Sequence, residues 1–510
     1  MYWRRILRNI LANWFNYVVT ILIGFTLTPF VISKLGNTGY GVWTLVLSLT
    51  GYFGVLDLGI RSSVGRFVAR YIALNEERNV NRMISSAFVM LAGGGLLALI
   101  ATAVLYLTFG RAFTVGSDLE SVARTTLVIV GLNVAFAFPM GVFTSLLIAM
   151  ERFDVITGVT IAGSLTRATL IVLALTHGSG VVALALITLI VGMAEYGAMS
   201  VWAKILYRPL KISVASADKI AIKELLTFSS YRFVWIMANQ LIFYTSSVVI
   251  GLFMTAGDIT HYAVAVSIIN YGRHIVALVS DTFAPSATRL HALNDLSGLQ
   301  NLLIAATKVG LLVTLPVCIG FIFLGEQFIT LWLGKDFAFS AILLVVLTIP
   351  QFTSLSQYVS VQVLTGMAKH KVLAFIALGE GLANLVISVI LIQRMGLMGV
   401  ALGSVFSGVV STAILIPWYT LHTLRLTVRH YWLASCMRPL ISAIPAAAIA
   451  YACKAWFKNP SWLVFSVEVC AVSGALALTA CFVCFDAEQR MLAVEKAREF
   501  LQRRRVPCET

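Results

Sequence analysis

The sequence predicts an all-α polytopic membrane protein, with about fourteen transmembrane helices in two pseudo-twofold-related six-helix bundles plus a C-terminal helix pair. Three observations predict this class. Hydrophobic residues make up 59% of the 510 residues and charged residues 12%, about half of the charged fraction of a typical soluble protein. Apolar stretches of about 20 residues recur along the whole chain. Lys and Arg concentrate in alternate loops.

Hydropathy places the predicted helices in order along the chain. Helices are favoured because a lipid-facing backbone must satisfy its own hydrogen bonds, and the runs lack the alternation of barrel strands. The first apolar run is too long for a signal peptide and has no small-residue cleavage site after it, so a retained helix is expected. The predicted spans are residues 10–32, 41–60, 84–109, 122–149, 155–176, 181–203, 226–251, 259–282, 303–325, 341–365, 371–392, 397–420, 438–456 and 462–485.

The distribution of basic residues predicts the orientation of the chain. With the N-terminus in the cytoplasm, 26 of the 37 Lys and Arg residues fall on the cytoplasmic side, seven fall outside and four lie within spans. An odd number of spans would destroy this alternation. We therefore expect an inner (plasma) membrane protein with both termini in the cytoplasm. The net charge of +15 is interpreted as an orientation signal and not as a nucleic-acid-binding feature.

An internal repeat predicts the two bundles. Residues 149–185 align with 366–402, and residues 31–49 align more faintly with 253–269. The spacing is about 220 residues, or six spans, so both halves have the same orientation and an axis along the membrane normal relates them. The predicted domains are an N-terminal six-helix bundle (1–210), a C-terminal six-helix bundle (211–425), a further helix pair (426–485) and a basic amphipathic cytoplasmic tail (486–510).

Loops and motifs indicate a carrier and argue against an enzyme. The outer loops are short, whereas membrane enzymes that build polysaccharides generally need a large loop with acidic or His residues. The sequence has no GxxxxGK[ST] phosphate loop, no HExxH motif and no cluster of His, Asp and Glu. Its seven Cys lie mostly in apolar segments, and the Cys481-x-x-Cys484 pair has no His or second pair nearby, so buried small hydrophobic residues are favoured over a metal or redox site. We expect no metal and no other cofactor, with proton or sodium coupling left open.

Polar side chains within the predicted spans form the candidate substrate cavity. Insertion of a charged side chain at the bilayer centre costs about 2.5–3.5 kcal/mol of free energy, so charged residues within spans are candidates for a functional role. Polar stripes lie on the first, seventh and eighth helices, and two arginines lie at the cytoplasmic end of the second. Because these helices occupy equivalent places in the two halves, we expect them to meet at one central cleft. The candidate substrate-binding residues are Arg273, Arg232, Arg61, Arg66, Asn270, His274, Asn239, Trp235, Asn13 and Asn16.

The charge of this set favours an anionic ligand. The guanidinium fork matches phosphate, and Asn or Trp can contact sugars by hydrogen bonding and stacking. Arg273 lies deepest in its span. Arg232 is near enough to the cytoplasm to snorkel, and Arg61 and Arg66 have an alternative role as positive-inside anchors.

Two further sets of polar residues have structural alternatives. Arg167 on the fifth helix and Glu195 on the sixth lie at similar depth and are predicted to form a structural ion pair. Glu380, Asn384 and Ser388 form a stripe on the eleventh helix. This stripe is either a site for a coupling ion, with Glu380 and Asn384 as ligands, or an interhelical hydrogen-bond seam, and the seam is favoured.

Three segments resemble the polysaccharide repeat-unit flippases (O-antigen translocases) of the multidrug/oligosaccharidyl-lipid/polysaccharide exporter superfamily: RRILRNILANW near the N-terminus, KLGNTGYGVW (34–43) and LDLGIRSSVGRFVARY (56–71). The resemblance covers nearly the whole chain. It implies a carrier that moves undecaprenyl-diphosphate-linked oligosaccharide from the inner to the outer leaflet by alternating access, for O-antigen or exopolysaccharide biosynthesis. In the related lipid II flippases, arginines on the first, second and eighth helices bind the diphosphate. Arg61 and Arg273 are arginines at the corresponding places on the second and eighth helices. The first helix departs from the pattern, because it has Asn13 and Asn16 where an arginine is expected.

Other functions stay open at this point. They are a multidrug or metabolite cation antiporter of the same fold, a lipid II or teichoic-type flippase, and a non-transporting assembly scaffold. A cation antiporter would be expected to carry acids on its first helix, which has none. The expected partners are the polyprenyl-diphosphate-linked glycan, the lipid bilayer and a polysaccharide polymerase or export complex; no nucleic acid is expected.

Overall fold

The computed structural model describes residues 2–456 and 461–484, without the side chains of residues 2–14, 117, 228, 230 and 231. The predicted tail, 486–510, lies outside these residues. Helices with short connections make up the described chain, and no strand occurs in it. The α-helices are α1 (Tyr2–Gly51), α2 (Ile60–Ala73), α3 (Glu77–Ala112), α4 (Ser117–Ala149), α5 (Phe153–Thr176), α6 (Val181–Leu206), α7 (Lys219–Phe253), α8 (Ala256–Ser280), α9 (Ala284–Ala292), α10 (Leu296–Ile319), α11 (Gly325–Leu333), α12 (Ala338–Ser356), α13 (Tyr358–Gly366), α14 (His370–Met395), α15 (Leu397–Val409), α16 (Ile416–Thr423), α17 (Val428–Tyr431), α18 (Met437–Trp456) and α19 (Trp462–Val483).

These helices gather into two compact units. The first unit contains the described residues up to Val264 together with His370–Ser407, and therefore holds α1 to α7 and α14. The second contains Ala265–Lys369 together with the described residues from Gly408, and therefore holds α9 to α13 and α16 to α19. The dividing points fall within α8 and α15.

Helix α1 consists of two helices joined at Gly36. This residue has φ 69° and ψ 172°, a left-handed conformation that glycine adopts without the steric cost of a Cβ. The apolar stretch that contains it, Phe15–Asp57, is 43 residues long. As one straight helix it would measure about 65 Å, more than twice the roughly 30 Å of a bilayer core. The break at Gly36 therefore divides the stretch into two spans.

The core of the first unit lies among α2, α3, α4 and α6. It includes the fully buried Val64 and Ile84 and the nearly buried Phe138. Helices α3 and α4 approach closely at Gly95, where an added Cβ would overlap the carbonyl of Ala135. Pro139, four residues further along α4, has no N–H to donate to that carbonyl. The Pro residue and the small Gly residue together shape this helix pair.

The second unit has its own core and a different helix geometry. Leu303 of α10, Val363 of α13 and Tyr431 of α17 are buried at its centre. Three of its helical connections are single π-helical turns, in which each carbonyl bonds five residues ahead and one extra residue is accommodated. These turns are Gly320–Leu324, Val410–Leu415 and Trp432–Cys436.

The described chain contains thirteen helical stretches that are long and apolar enough to cross a membrane. Division of the first stretch at Gly36 brings this number to the predicted fourteen, and the predicted class of an all-α polytopic membrane protein is confirmed. Residues 426–485, predicted as a further helix pair, contain α17, α18 and α19 where the structure describes them. Helices α7 and α14, which the repeat assigns to the second bundle, lie in the first compact unit. The bundle boundaries at 1–210 and 211–425 therefore stay a prediction.

Candidate functional site

Arg61 is packed into the first unit at the start of α2. Its Nε lies 3.2 Å from Asp57 Oδ1, and its Nη2 donates a 3.0 Å hydrogen bond to the carbonyl of Ala137 on α4. Its guanidinium carbon lies 5.5 Å from the centroid of the Phe138 ring, within the range of a cation–π interaction. Gly141, also on α4, leaves the necessary room, because a Cβ there would overlap the guanidinium group. The side chain thus has a fixed position and remains 37% exposed.

A left-handed turn brings Asp57 near a second arginine. Leu58, with φ 51°, and Gly59, with φ 76°, redirect the chain into α2. Gly59 packs on α7, where an added Cβ would lie 3.0 Å from both Cβ and Cγ of Arg232. The Asp57 carboxylate interacts electrostatically with Arg61 and with Arg232. One acidic side chain therefore lies close to two arginines of the predicted site, at ion-pair distance from Arg61.

Sequence reasoning missed Asp57, although the sequence carries a signal for it. Asp57 and Arg61 are four residues apart, which is the spacing of ion pairs on one helical face. A search for intramembrane cations alone does not find their counterions. Next to this pair, the hydroxyls of Ser63 and Ser229 lie 2.7 Å apart and join α2 to α7.

A second pair of charged side chains lies in the first unit. Arg167 Nη2 of α5 donates a 3.0 Å hydrogen bond to Glu195 Oε1 of α6. The Glu195 carboxylate rests on Gly163, where a Cβ would overlap it. Tyr196, the next residue on α6, packs on α4, with its ring centroid 6.4 Å from that of Phe136. The predicted ion pair therefore joins α5 to α6 within the first unit.

The other predicted residues of the first unit lie on α1, α2 and α7. Arg66 lies on α2 with an exposed side chain. On α7, Trp235 and Asn239 are half-buried, and Asn239 Nδ2 donates a 2.7 Å hydrogen bond to the Trp235 carbonyl. Asn16 is half-buried on α1, and its Oδ1 has no hydrogen-bond partner among the described residues. The side chain of Asn13 lies outside the described residues.

The predicted residues of α8 lie in the second unit. Arg273 and Asn270 are half-buried, and His274 is exposed. Gly272, on the same helix, packs against Phe321. This contact determines which face of α8 packs against the π-helical segment Gly320–Leu324. The expectation that Arg273 shares one cleft with the arginines of the first unit stays a prediction.

The stripe on α14 forms part of a hydrogen-bonded chain in the first unit. Asn384 is 3% exposed, and its Oδ1 accepts hydrogen bonds from Ser388 Oγ at 3.0 Å and from Ser404 Oγ of α15 at 3.4 Å. The hydroxyls of Ser404 and Tyr262 lie 3.3 Å apart, and Tyr262 Oη donates to Ser246 Oγ of α7 at 3.1 Å. The chain joins α7, α8, α14 and α15, which is the arrangement of an interhelical seam.

Glu380, the other candidate for ion coupling, is half-buried on the same helix, one turn before Asn384. Among the described residues, no group of three or more His, Cys, Asp or Glu side chains has the arrangement of a metal site. The polar chain around Asn384 consists of neutral amide and hydroxyl groups, and its oxygens are already engaged with one another.

A further intramembrane carboxylate lies in the second unit and was missed by the sequence reasoning. Glu468 of α19 is 1% exposed and lies near the side chain of Gln327 on α11. An aromatic group next to it joins the same two helices: the ring centroids of Phe328 and Phe465 are 5.6 Å apart, and those of Phe328 and Trp462 are 6.2 Å apart. Glu468 is the only charged residue of α19, and a search for lone charges in apolar runs would find it.

The arrangement in the first unit suits an anion. Asp57, Arg61, Arg232, Arg167 and Glu195 together carry one more positive charge than negative charge. Arg61 presents its guanidinium group from a partly exposed position, and a guanidinium group can form paired, charge-assisted hydrogen bonds with phosphate oxygens. These side chains are held by packing against Gly59, Gly141 and Gly163, so the positions of the charges are set by the fold.

Known proteins are similar to this chain in sequence. The chain is 23% identical over 506 residues to the uncharacterised membrane protein EpsK of Bacillus subtilis, which covers 96% of this chain and 98% of that protein. It is 23% identical over 420 residues to a Shigella flexneri protein named as a candidate O-antigen transporter, with 81% of this chain and 97% of that protein covered.

Solved structures identify the fold. The lipid II flippase MurJ in an inward closed conformation superposes with a TM-score of 0.72 at 14% identity, over 93% of this chain and 98% of MurJ. An inward-facing multidrug resistance transporter of the MATE family, in the MOP superfamily, superposes with a TM-score of 0.68 at 13% identity, over 80% of this chain and 95% of that transporter. The chain is therefore a multi-pass membrane protein with the fold of MOP superfamily transporters. Residues 6–291, more than half of the sequence, match the polysaccharide biosynthesis protein family, and the chain belongs to that family.

Proposed function

We propose that this protein is a flippase for polysaccharide precursors. Its cargo is an undecaprenyl-diphosphate-linked oligosaccharide repeat unit, which it moves from the inner to the outer leaflet of the bacterial plasma membrane by alternating access. Membership of the polysaccharide biosynthesis family and the MurJ-like fold support the general function. The name of the Shigella flexneri relative supports a lipid-linked glycan as cargo.

The arrangement of Arg61 and Arg232 is the observation that carries this proposal. Both arginines lie in the first unit near one carboxylate, Asp57, so they retain an excess of positive charge. A diphosphate with two or more negative charges complements such a site, whereas a cationic drug would be repelled by it. In this proposal Arg61 and Arg232 hold the diphosphate, and Asn16, Trp235 and Asn239 contact the adjoining sugars.

The membrane potential supplies a driving force for the proposed direction. With the cytoplasm negative, outward movement of an anion is favoured by about 2.3 kcal/mol per charge per 100 mV. The polyprenyl tail needs no transfer through a polar path, because it stays in the hydrocarbon region throughout. Coupling to a proton or sodium ion is not required by this scheme. We propose that both termini face the cytoplasm, where a polysaccharide polymerase or export complex is the expected partner.

Replacement of the arginines tests the proposal. Cells with Arg61→Gln, Arg232→Gln or Arg273→Gln are expected to accumulate lipid-linked repeat units in the inner leaflet and to lose surface polysaccharide. Arg152→Gln is the matched control, because Arg152 forms a local ion pair with Asp154 at the start of α5, with Nε and Oδ1 2.9 Å apart. Normal surface polysaccharide in all three well-expressed variants would contradict the proposal.

A transport assay separates the proposed function from its rivals. The purified protein in vesicles is expected to give fluorescent lipid-diphosphate oligosaccharide access to an outer-leaflet lectin. Export of cationic dyes without glycan transport would instead identify a multidrug or metabolite antiporter. Transport of lipid II or of a teichoic-type precursor in preference to the repeat unit would move the assignment to those flippases.

A further inference from the structure

The shared position of Asp57 has a consequence for how an anion binds. The Asp57 carboxylate is 17% exposed, and its Oδ1 lies 3.2 Å from Arg61 Nε. It also interacts with Arg232, whose side chain packs against Gly59, two residues further along the chain. An anionic ligand that binds both arginines meets this carboxylate as a like charge at the same site.

The turn after Asp57 fixes the carboxylate where it is. Leu58 has φ 51°, which is a costly conformation for a residue with a Cβ, and Gly59 has φ 76°. The hydrogen bond between the hydroxyls of Ser63 and Ser229, 2.7 Å, ties this segment to α7. A strained backbone conformation persists when the contacts around it are strong enough to hold it in place. Asp57 is therefore held next to the arginines by the backbone and not only by electrostatic attraction.

We propose that Asp57 acts as an internal competitor of the anionic cargo: it compensates part of the positive charge of Arg61 and Arg232 in the empty carrier, and the diphosphate replaces it as the partner of their guanidinium groups on binding. The inference rests on the proposed function and adds a residue that tunes the affinity of the same site. The exchange of one anion for another lets the carrier release its cargo, because the arginines regain a counterion when the diphosphate leaves. A site with two uncompensated arginines would bind the anion tightly and release it slowly.

Binding to the purified full-length protein in nanodiscs tests this inference, with farnesyl diphosphate as the probe at fixed salt concentration. Asp57→Asn keeps the shape of the side chain and removes its charge. We expect the dissociation constant for the probe to fall about tenfold, while glycan transport in vesicles becomes slower because release is slower. Asp154→Asn is the matched control, since it also removes the acid of an Arg–Asp pair but lies at the start of α5, and it is expected to leave both measurements unchanged.

The arginine variants distinguish the failure of this inference from the failure of the proposed function. If Arg61→Gln weakens probe binding while Asp57→Asn binds the probe with unchanged or lower affinity, Asp57 is not a competitor and the inference is overturned, but the proposed site stands. If neither Arg61→Gln nor Arg232→Gln alters binding, the proposed anion site itself is wrong. Asp57→Ser, which is smaller and also neutral, replaces Asp57→Asn if the latter does not fold, and the same increase in affinity is expected.

Discussion

Arg167 Nη2 and Glu195 Oε1 lie 3.0 Å apart and join α5 to α6 within the first unit. The two side chains are 30% and 18% exposed, so the pair is only partly removed from solvent or lipid. Loss of one partner from a buried pair is costly mainly because the other charge is left uncompensated. We propose that this pair has a structural role.

The first prediction concerns the stability of that pair. Arg167→Leu and Glu195→Leu are each expected to lower the free energy of unfolding by about 1–3 kcal/mol, less than the cost for a fully buried pair. The double variant is expected to recover part of this loss, since no charge is then left alone. Unfolding in mixed micelles measures the difference, with Thr169→Leu on the exposed face of α5 as control. Additive losses in the double variant would show that the pair does not act as a unit.

The second prediction concerns the space beside Arg61. Gly141→Ala places a methyl group where the guanidinium group now packs, so Arg61 is expected to move and the affinity for a lipid diphosphate to fall about threefold to tenfold. No charge is removed, so a lower affinity would reflect geometry alone. Gly158→Ala is the control, because no atom of a neighbouring element lies within 4 Å of a Cβ at that position. Equal affinities in the two variants would mean that the position of Arg61 is unimportant for binding.

The third prediction concerns the seam around Asn384. Asn384→Leu removes the acceptor of the Ser388 and Ser404 hydroxyls, and the expected cost is about 1–3 kcal/mol of unfolding free energy. Because the chain is a seam in our interpretation, the dependence of transport on sodium and on pH should stay as in the parent protein. Ser33→Ala, which removes a hydrogen bond within a single helix, is the control. A stable Asn384→Leu variant with altered ion dependence would instead support an ion-coupling site.

The fourth prediction concerns pH at the N-terminus of α10, outside the spans. Asp295 accepts hydrogen bonds from the Gly298 N–H and from Ser297 Oγ, both at 2.8 Å, and these bonds hold the pKa of its carboxyl below its usual value. A carboxyl with a depressed pKa stabilises the folded state above its unfolded pKa, about 3.9, and this contribution is lost as the pH falls through the folded pKa. Hydrogen exchange of the Gly298 amide should therefore lose protection below about pH 4. In Asp295→Asn the protection is expected to be independent of pH in this range; the same pH profile in both proteins would contradict the assignment.

Much of the fold follows from apolarity and charge alone. The positions of the spans and the class of the protein were predictable because a bilayer imposes the length and the composition of each helix. The break at Gly36 and the end of α1 at Gly51 were harder to predict from the sequence, because hydropathy contains no information on backbone torsion angles. The second predicted span, 41–60, for this reason runs through a helix end, a 3-10 turn and the left-handed pair Leu58 and Gly59.

The candidate site was predictable only in part, for a different reason. Arg61 and Arg232 stand out in the sequence because cations are rare in apolar segments. Asp57 becomes significant only when the turn after it is known, because its distance to Arg232 depends on how α2 and α7 pack. Glu468 and Gln327 are 141 residues apart in the chain, and no sequence period links α11 to α19. Contacts of this kind require the tertiary structure.

The three π-helical turns predict where the membrane helices of related proteins differ in length. Each turn contains one residue more than an α-helix of the same rise requires, and its removal would restore regular α-helical hydrogen bonding locally. In the described chain all three, Gly320–Leu324, Val410–Leu415 and Trp432–Cys436, belong to the second unit. Among relatives, we therefore expect single-residue insertions and deletions within membrane helices to concentrate at these three turns. Elsewhere such a change would rotate all following side chains by about 100°.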